Sequence, residues 1–142
     1  MKINRKGTAV WSGGLKDGKG AITTQSGALK DYPYGFATRF GDVLGTNPEE
    51  LLGAAHAGCF TMALSLILGE ANLKAERMET TATVSLEQKG EGFEVTAVLL
   101  NLKAKIPGAS QAQFVELANK AKANCPLSKV LRANIALEAV LE

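Results

Sequence analysis

The chain has 142 residues, 46% hydrophobic, 21% charged and 6% aromatic, with a formal net charge of +2. These values fit one ordinary soluble domain, residues 1–142, with a core large enough to need neither disulfide staples nor a structural metal. Its sixteen Lys and Arg are scattered rather than striped, which argues against a nucleic-acid partner.

The opening MKINRKGTAVWSGG lacks the apolar segment of a secretory signal, so a cytoplasmic protein is expected. Thr8–Trp11, Ala21–Gln25 and Phe36–Phe40 read as short strands separated by turns at Gly13-Gly14, Gly18-Lys19-Gly20 and Pro33-Tyr34-Gly35. GGLKDGKG, from Gly13 to Gly20, comes within one residue of a phosphate-binding loop. A strand-like segment follows it where that motif requires a helix, so no phosphate site is expected.

Asn47, Pro48 and Glu50 form a helix start signal, and from Leu51 to Gly69 nineteen residues carry no charge. That length approaches a membrane span. Glu49, Glu50 and Glu70 at its flanks, the absence of a nearby Lys/Arg cluster and its Gly/Ala-rich first half favour a buried helix instead, with no membrane partner. A helix from Pro48 to Asn72 would run about 37 Å, more than the rest of the chain readily covers, which points to a second subunit. Gly53 with Ala57, and Ala54 with Gly58, either admit another helix backbone or merely fit beneath a sheet.

Met78, Thr80, Ala82, Val84 and Leu86 alternate with polar residues as in a half-buried strand, and Gly90-Glu91-Gly92 turns it back. The return strand has Phe93, Val95, Ala97 and Leu99 on one face and then Leu102, Ala104 and Ile106, a change of parity that implies a bulge near Leu99–Asn101. Ser110 and Gln113 mark another helix, with Phe114, Leu117, Ala118 and Ala121 on its apolar face. A helical turn after Cys125-Pro126 and a strand carrying Ile135, Leu137, Ala139 and Leu141 inward complete the chain.

The chemical inventory is two cysteines, one histidine and four arginines, with no metal-ligand spacing. His56, three residues before Cys59, shares a helical face with it, as a Cys-His acyl-transfer pair would; a buried histidine bonded to a neighbouring carbonyl is the plainer alternative. Burial mid-helix raises the pKa of Cys59, so a reactive thiolate there needs a cation, for which Arg39 is the candidate. Cys125, before Pro126 at a helix start, has the locally more acidifying position.

The runs PYGFATRF (Pro33–Phe40), GTNPEELLGAAHAGCF (Gly45–Phe60) and NCPLSKVL (Asn124–Leu131) together resemble the OsmC/Ohr family, the OsmC branch in particular. The resemblance implies an OsmC-like α+β fold with antiparallel sheets wrapped around long central helices in an intertwined homodimer. It also implies a thiol-dependent peroxidase acting on small hydroperoxides, without metal or organic cofactor and regenerated by an external dithiol reductant. By position, Cys59 would be the peroxidatic cysteine, Cys125 the resolving one, and Arg39 and Glu49 the activating pair. Glu49 and Cys59 lie about 15 Å apart along one helix, which suggests that Arg39 and Glu49 serve the Cys59 of the other subunit. A redox sensor or binding module using the same cysteines without turnover, and the Cys-His acyl-transfer enzyme, are the alternatives.

Overall fold

The structure is a computed structural model describing residues 1–142, and the chain forms two compact units, Met1–Pro48 and Glu49–Glu142. In the first unit, β1 (Gly7–Ser12), β2 (Lys19–Thr24) and β3 (Tyr32–Tyr34) make an antiparallel sheet in that order. The GGLKDGKG segment forms the β1–β2 turn and the first two residues of β2, running directly into a strand. Pro33 is accommodated because β3 is an edge strand, where a missing N–H is tolerated.

Gly20 is paired with Trp11 on one side and Tyr34 on the other. A Cβ there would come within 2.4 Å of the Tyr34 ring and 2.7 Å of the Trp11 ring. Glycine thus permits the edge-on contact of these two aromatics, whose centroids are 5.5 Å apart.

The segment Phe36–Phe40, expected as a strand, is a short helix, α1. Its start explains the difference: the Gly35 N–H donates to Thr38 Oγ1 at 2.7 Å, and the Thr38 hydroxyl donates to the Thr46 carbonyl at 2.9 Å. This capping interaction overrides the strand preference of the aromatic and β-branched residues. Phe36 and Phe40 then stack one helical turn apart, with centroids separated by 5.0 Å.

The second unit is built on α2 (Pro48–Glu70), whose first turn carries Glu49 and Glu50, the favourable charge for a helix N-terminus. It ends two residues before the expected Asn72, which instead takes the left-handed conformation (φ 58°) while the Leu73 N–H donates to the Leu68 carbonyl at 2.9 Å. The helix is long and apolar enough to cross a membrane, yet Phe60, Leu64, Ile67 and Leu68 are buried in a protein core.

That core is completed by β4 (Arg77–Lys89), β5 (Gly92–Lys105), α3 (Gln111–Asn124), α4 (Pro126–Val130) and β6 (Asn134–Leu141). The sheet order is β4-β5-β6. It is mixed rather than wholly antiparallel, since β6 returns through the α3–α4 connection to pair in parallel with β5. Ser110 caps α3 by accepting from the Gln113 N–H at 3.2 Å.

The irregularity in β5 lies earlier than expected. Ser85 pairs with Ala97 and Leu86 with Val95, leaving Thr96 as the extra residue. From there Val98, Leu100, Leu102 and Ala104 face inward and are fully or almost fully buried, together with Ile106 beyond the strand. Ala97 and Leu99 therefore fall on the opposite face. The adjacent apolar pairs Val98-Leu99 and Leu99-Leu100 conceal the parity in sequence.

Gly53 and Gly58 separate the two uses of small residues in α2. A Cβ on Gly53 would meet the Ala82 carbonyl oxygen at 3.0 Å and Val84 Cγ2 at 3.5 Å, so this glycine fits the helix to its own sheet. A Cβ on Gly58 would meet nothing within 4 Å. Gly58 instead belongs to an exposed stripe with Ala54, Ala55, Met62 and Leu66, the last two 78% and 68% exposed.

Candidate active site

Cys59 lies near the middle of α2, half-buried, and Cys125 is fully buried where α3 gives way to α4. The fold brings these cysteines together across 66 residues of sequence, near enough for Cys125 to influence the ionisation of Cys59, with both thiols free. Cys125 is the N-cap residue of α4 and Pro126 occupies its first turn. Proline has no N–H to offer, so Leu127 provides the next backbone donor, and it is directed at Cys59.

Burial is the largest influence on Cys59 and raises its pKa, because a thiolate loses hydration there. The Leu127 N–H acts in the opposite direction by donating to the sulfur. The neighbouring Cys125 raises the pKa again, through the thiol–thiol hydrogen bond and repulsion between negative charges. Burial prevails in this balance, so the elements gathered around Cys59 leave it a weaker acid than an ordinary cysteine.

Local sequence reasoning assigned the helix-start environment to Cys125; the structure directs one of its donors to Cys59. Pro126 makes Leu127 the first residue of α4 able to donate, a signal legible in sequence. Which sulfur receives that bond depends on tertiary packing.

His56 lies one turn before Cys59 and is wholly buried. Its Nε2 is 2.8 Å from Ser128 Oγ, while Nδ1 has no hydrogen-bond partner. Burial lowers its pKa. Neither ring nitrogen bonds Cys59, so the coupled nucleophile and base of a Cys-His enzyme are not assembled. The histidine's partner is a serine hydroxyl rather than the expected carbonyl.

Arg39 belongs to α1 in the first unit, with its guanidinium carbon 5.4 Å from the Phe40 ring centroid. Trp11, Leu15, Tyr34 and Phe36 border the same hollow, of about 210 Å³. Glu49 is the second residue of α2, about 15 Å along the helix from Cys59. In the second unit, Cys59 opens onto an apolar groove of about 860 Å³ bordered by Met62, Ala63, Leu66, Ile67 and Pro126. Glu70 and Lys120, paired at 3.9 Å, also line it. No group of three or more His, Cys, Asp or Glu side chains converges as a metal site.

A helix on a mixed sheet, with a paired thiol site between α2 and α4, defines an α+β dithiol protein. The sequence pattern of the OsmC-like protein family matches residues 40–140. The chain is 50% identical over 142 residues to peroxiredoxin OsmC of Escherichia coli (strain K12), covering 100% of this chain and 99% of that protein. It is 37% identical over 92 residues to the organic hydroperoxide resistance protein OhrA of Bacillus subtilis (strain 168), covering 63% of this chain and 62% of that one. The crystal structure of OhrB, an organic hydroperoxide resistance protein of Bacillus subtilis, aligns with a TM-score of 0.72 at 30% identity, over 99% of this chain and 98% of that chain. The chain belongs to the OsmC-like protein family, with the α+β fold its sequence motifs implied. Its activity class is that of a peroxidase, an oxidoreductase.

Proposed function

We propose that the protein reduces organic hydroperoxides and hydrogen peroxide through Cys59, with Cys125 as the resolving cysteine, in defence against oxidative and osmotic stress. The observation carrying this reading is the meeting of the two thiols, close enough for each to bear on the other's ionisation, with the Leu127 N–H directed at Cys59. The Cys59 thiolate attacks the O–O bond; one oxygen remains, with the peroxide's proton, as Cys59 sulfenic acid, and the other leaves as alkoxide or hydroxide and takes up the proton released when the thiol ionised, giving alcohol or water. Cys125 then displaces hydroxide from the sulfenic sulfur, giving water and a Cys59–Cys125 disulfide. An external dithiol returns both sulfurs to thiols by exchange and becomes oxidised itself, with no metal or organic cofactor taking part. The apolar groove beside Cys59 favours organic over inorganic peroxide.

Arg39, held by Glu49, supplies the positive charge that offsets burial of the thiolate. The distance along α2 between Glu49 and Cys59 supports delivery from a second subunit. The exposed stripe of Ala54, Gly58, Met62 and Leu66 offers that copy an apolar helix face, which supports a homodimer as the working form.

The test is a thiol count after one equivalent of cumene hydroperoxide. Wild type should lose both thiols; Cys125→Ser should lose one and yield a sulfenic acid trapped by dimedone; Cys59→Ser should lose none promptly. Survival of both thiols in wild type would overturn the proposal.

A further inference from the structure

His56 and Cys59 are three residues apart on α2, while Ser128 and Cys125 are three residues apart at the start of α4. Residues at this spacing share a helical face. The two pairs meet in register, Cys59 with Cys125 and His56 with Ser128, the latter at 2.8 Å. Leu127, between Cys125 and Ser128, donates to Cys59. The short α4 is therefore fastened to α2 at the sulfurs and one turn away at the imidazole.

This second fastening differs in a way that matters for a redox cycle. Conversion of Cys59 from thiol to sulfenic acid to disulfide changes every bond at the sulfur end of the contact. The imidazole–hydroxyl bond contains no group altered by that chemistry. It is also a demanding arrangement: His56 is completely buried and Nδ1 is left unpartnered. An orphaned buried N–H is rarer than an orphaned acceptor, which favours the tautomer with Nε2–H donating to Ser128 Oγ and Nδ1 bare. A neutral ring with one useful donor is what the site accommodates.

We propose that His56 is a positioning residue for the resolving step, holding α4 through Ser128 so that Cys125 stays within reach of Cys59 after peroxide has oxidised it. The inference rests on the cysteine-pair reading above and assigns His56 no proton-transfer role. Without the fastening, α4 can withdraw and the Cys59 sulfenic acid persists.

The experiment uses full-length reduced protein, cumene hydroperoxide and dimedone, following Cys59 sulfenic acid and the Cys59–Cys125 disulfide separately by mass spectrometry. In Ser128→Ala and His56→Ala, disulfide closure should slow by about tenfold relative to sulfenic acid formation, the effect of losing one net hydrogen bond. Dimedone adduct should then accumulate. His56→Gln, whose amide can donate from a similar reach, should restore closure to within about threefold of wild type. Ser128→Ala removes only one oxygen, so the test does not depend on His56→Ala folding. A wild-type closure rate in Ser128→Ala, with no gain in adduct, would overturn the inference while leaving the cysteine pair intact. Failure of wild type itself to form the disulfide would defeat both readings.

Discussion

The backbone N–H of Leu127 is directed at the sulfur of Cys59 and lowers its pKa, although the residues lie 68 positions apart in sequence. A cysteine in the middle of one helix thus receives a donor from the first turn of another. Leu127→Pro removes that donor, whereas Leu127→Ala retains it. The proline variant should have a higher Cys59 pKa and react with hydroperoxide at least roughly tenfold more slowly at neutral pH, because hydrogen bonds to charged groups contribute about 1.5–3 kcal/mol. Thiolate absorbance against pH and stopped-flow rates on Cys125→Ser backgrounds check this expectation.

His56 is the only histidine, so its titration is separable from all others. Burial holds its native pKa below the unfolded value of about 6.5. As pH falls through that value, the unfolded chain takes up a proton before the native one does, and unfolding is favoured. The stability contributed by the neutral ring is fully present above pH about 6.5 and is lost as pH falls toward the lower native pKa. Melting temperatures from pH 7.5 to 5 should decline in wild type, and this component should be absent in His56→Gln.

Gly53 and Gly58 should respond to enlargement in different ways. Gly53→Val drives a branched side chain toward the Ala82 carbonyl and should destabilise the fold by roughly 1–3 kcal/mol. Gly58→Ala meets open space within the chain and improves helix propensity, so the secondary structure of the subunit should persist. Its effect should appear as weaker dimerisation in sedimentation velocity, since the added methyl stands on the face assigned to a second copy.

Delivery of Arg39 across subunits predicts complementation. Neither Arg39→Ala nor Cys59→Ser homodimers should turn over hydroperoxide efficiently. Coexpressed and purified as a heterodimer, the two variants retain one intact pairing of Arg39 with the other subunit's Cys59, and about half of wild-type activity per dimer should return. Delivery within a subunit would leave the heterodimer as poor as Arg39→Ala alone.

Much of this fold was legible because the pattern was local. The alternation from Met78 to Leu86 announced β4, Asn47-Pro48 placed the start of α2, and Ser110 marked α3. The FATRF helix was hidden because the Gly35–Thr38 and Thr38–Thr46 hydrogen bonds decide it against residue preference. Around the thiols, the motifs mark Cys59 and Cys125, but nothing local in sequence marks the roles of Leu127 and Ser128. Their partners lie on α2, some seventy residues earlier, and neither residue type carries a chemical signature of its own.

Cys59 and Cys125 enclose nearly half the chain, including α2's C-terminal half, β4, β5 and α3. Joining them removes freedom from the unfolded ensemble, and a loop of this length corresponds to about 4 kcal/mol of added stability in the chain-entropy estimate. Resistance to unfolding would therefore oscillate with turnover. Molecules waiting for reductant would be the ones hardest for a protease to open, so a shortage of reducing power would preserve the spent enzyme rather than expose it to degradation.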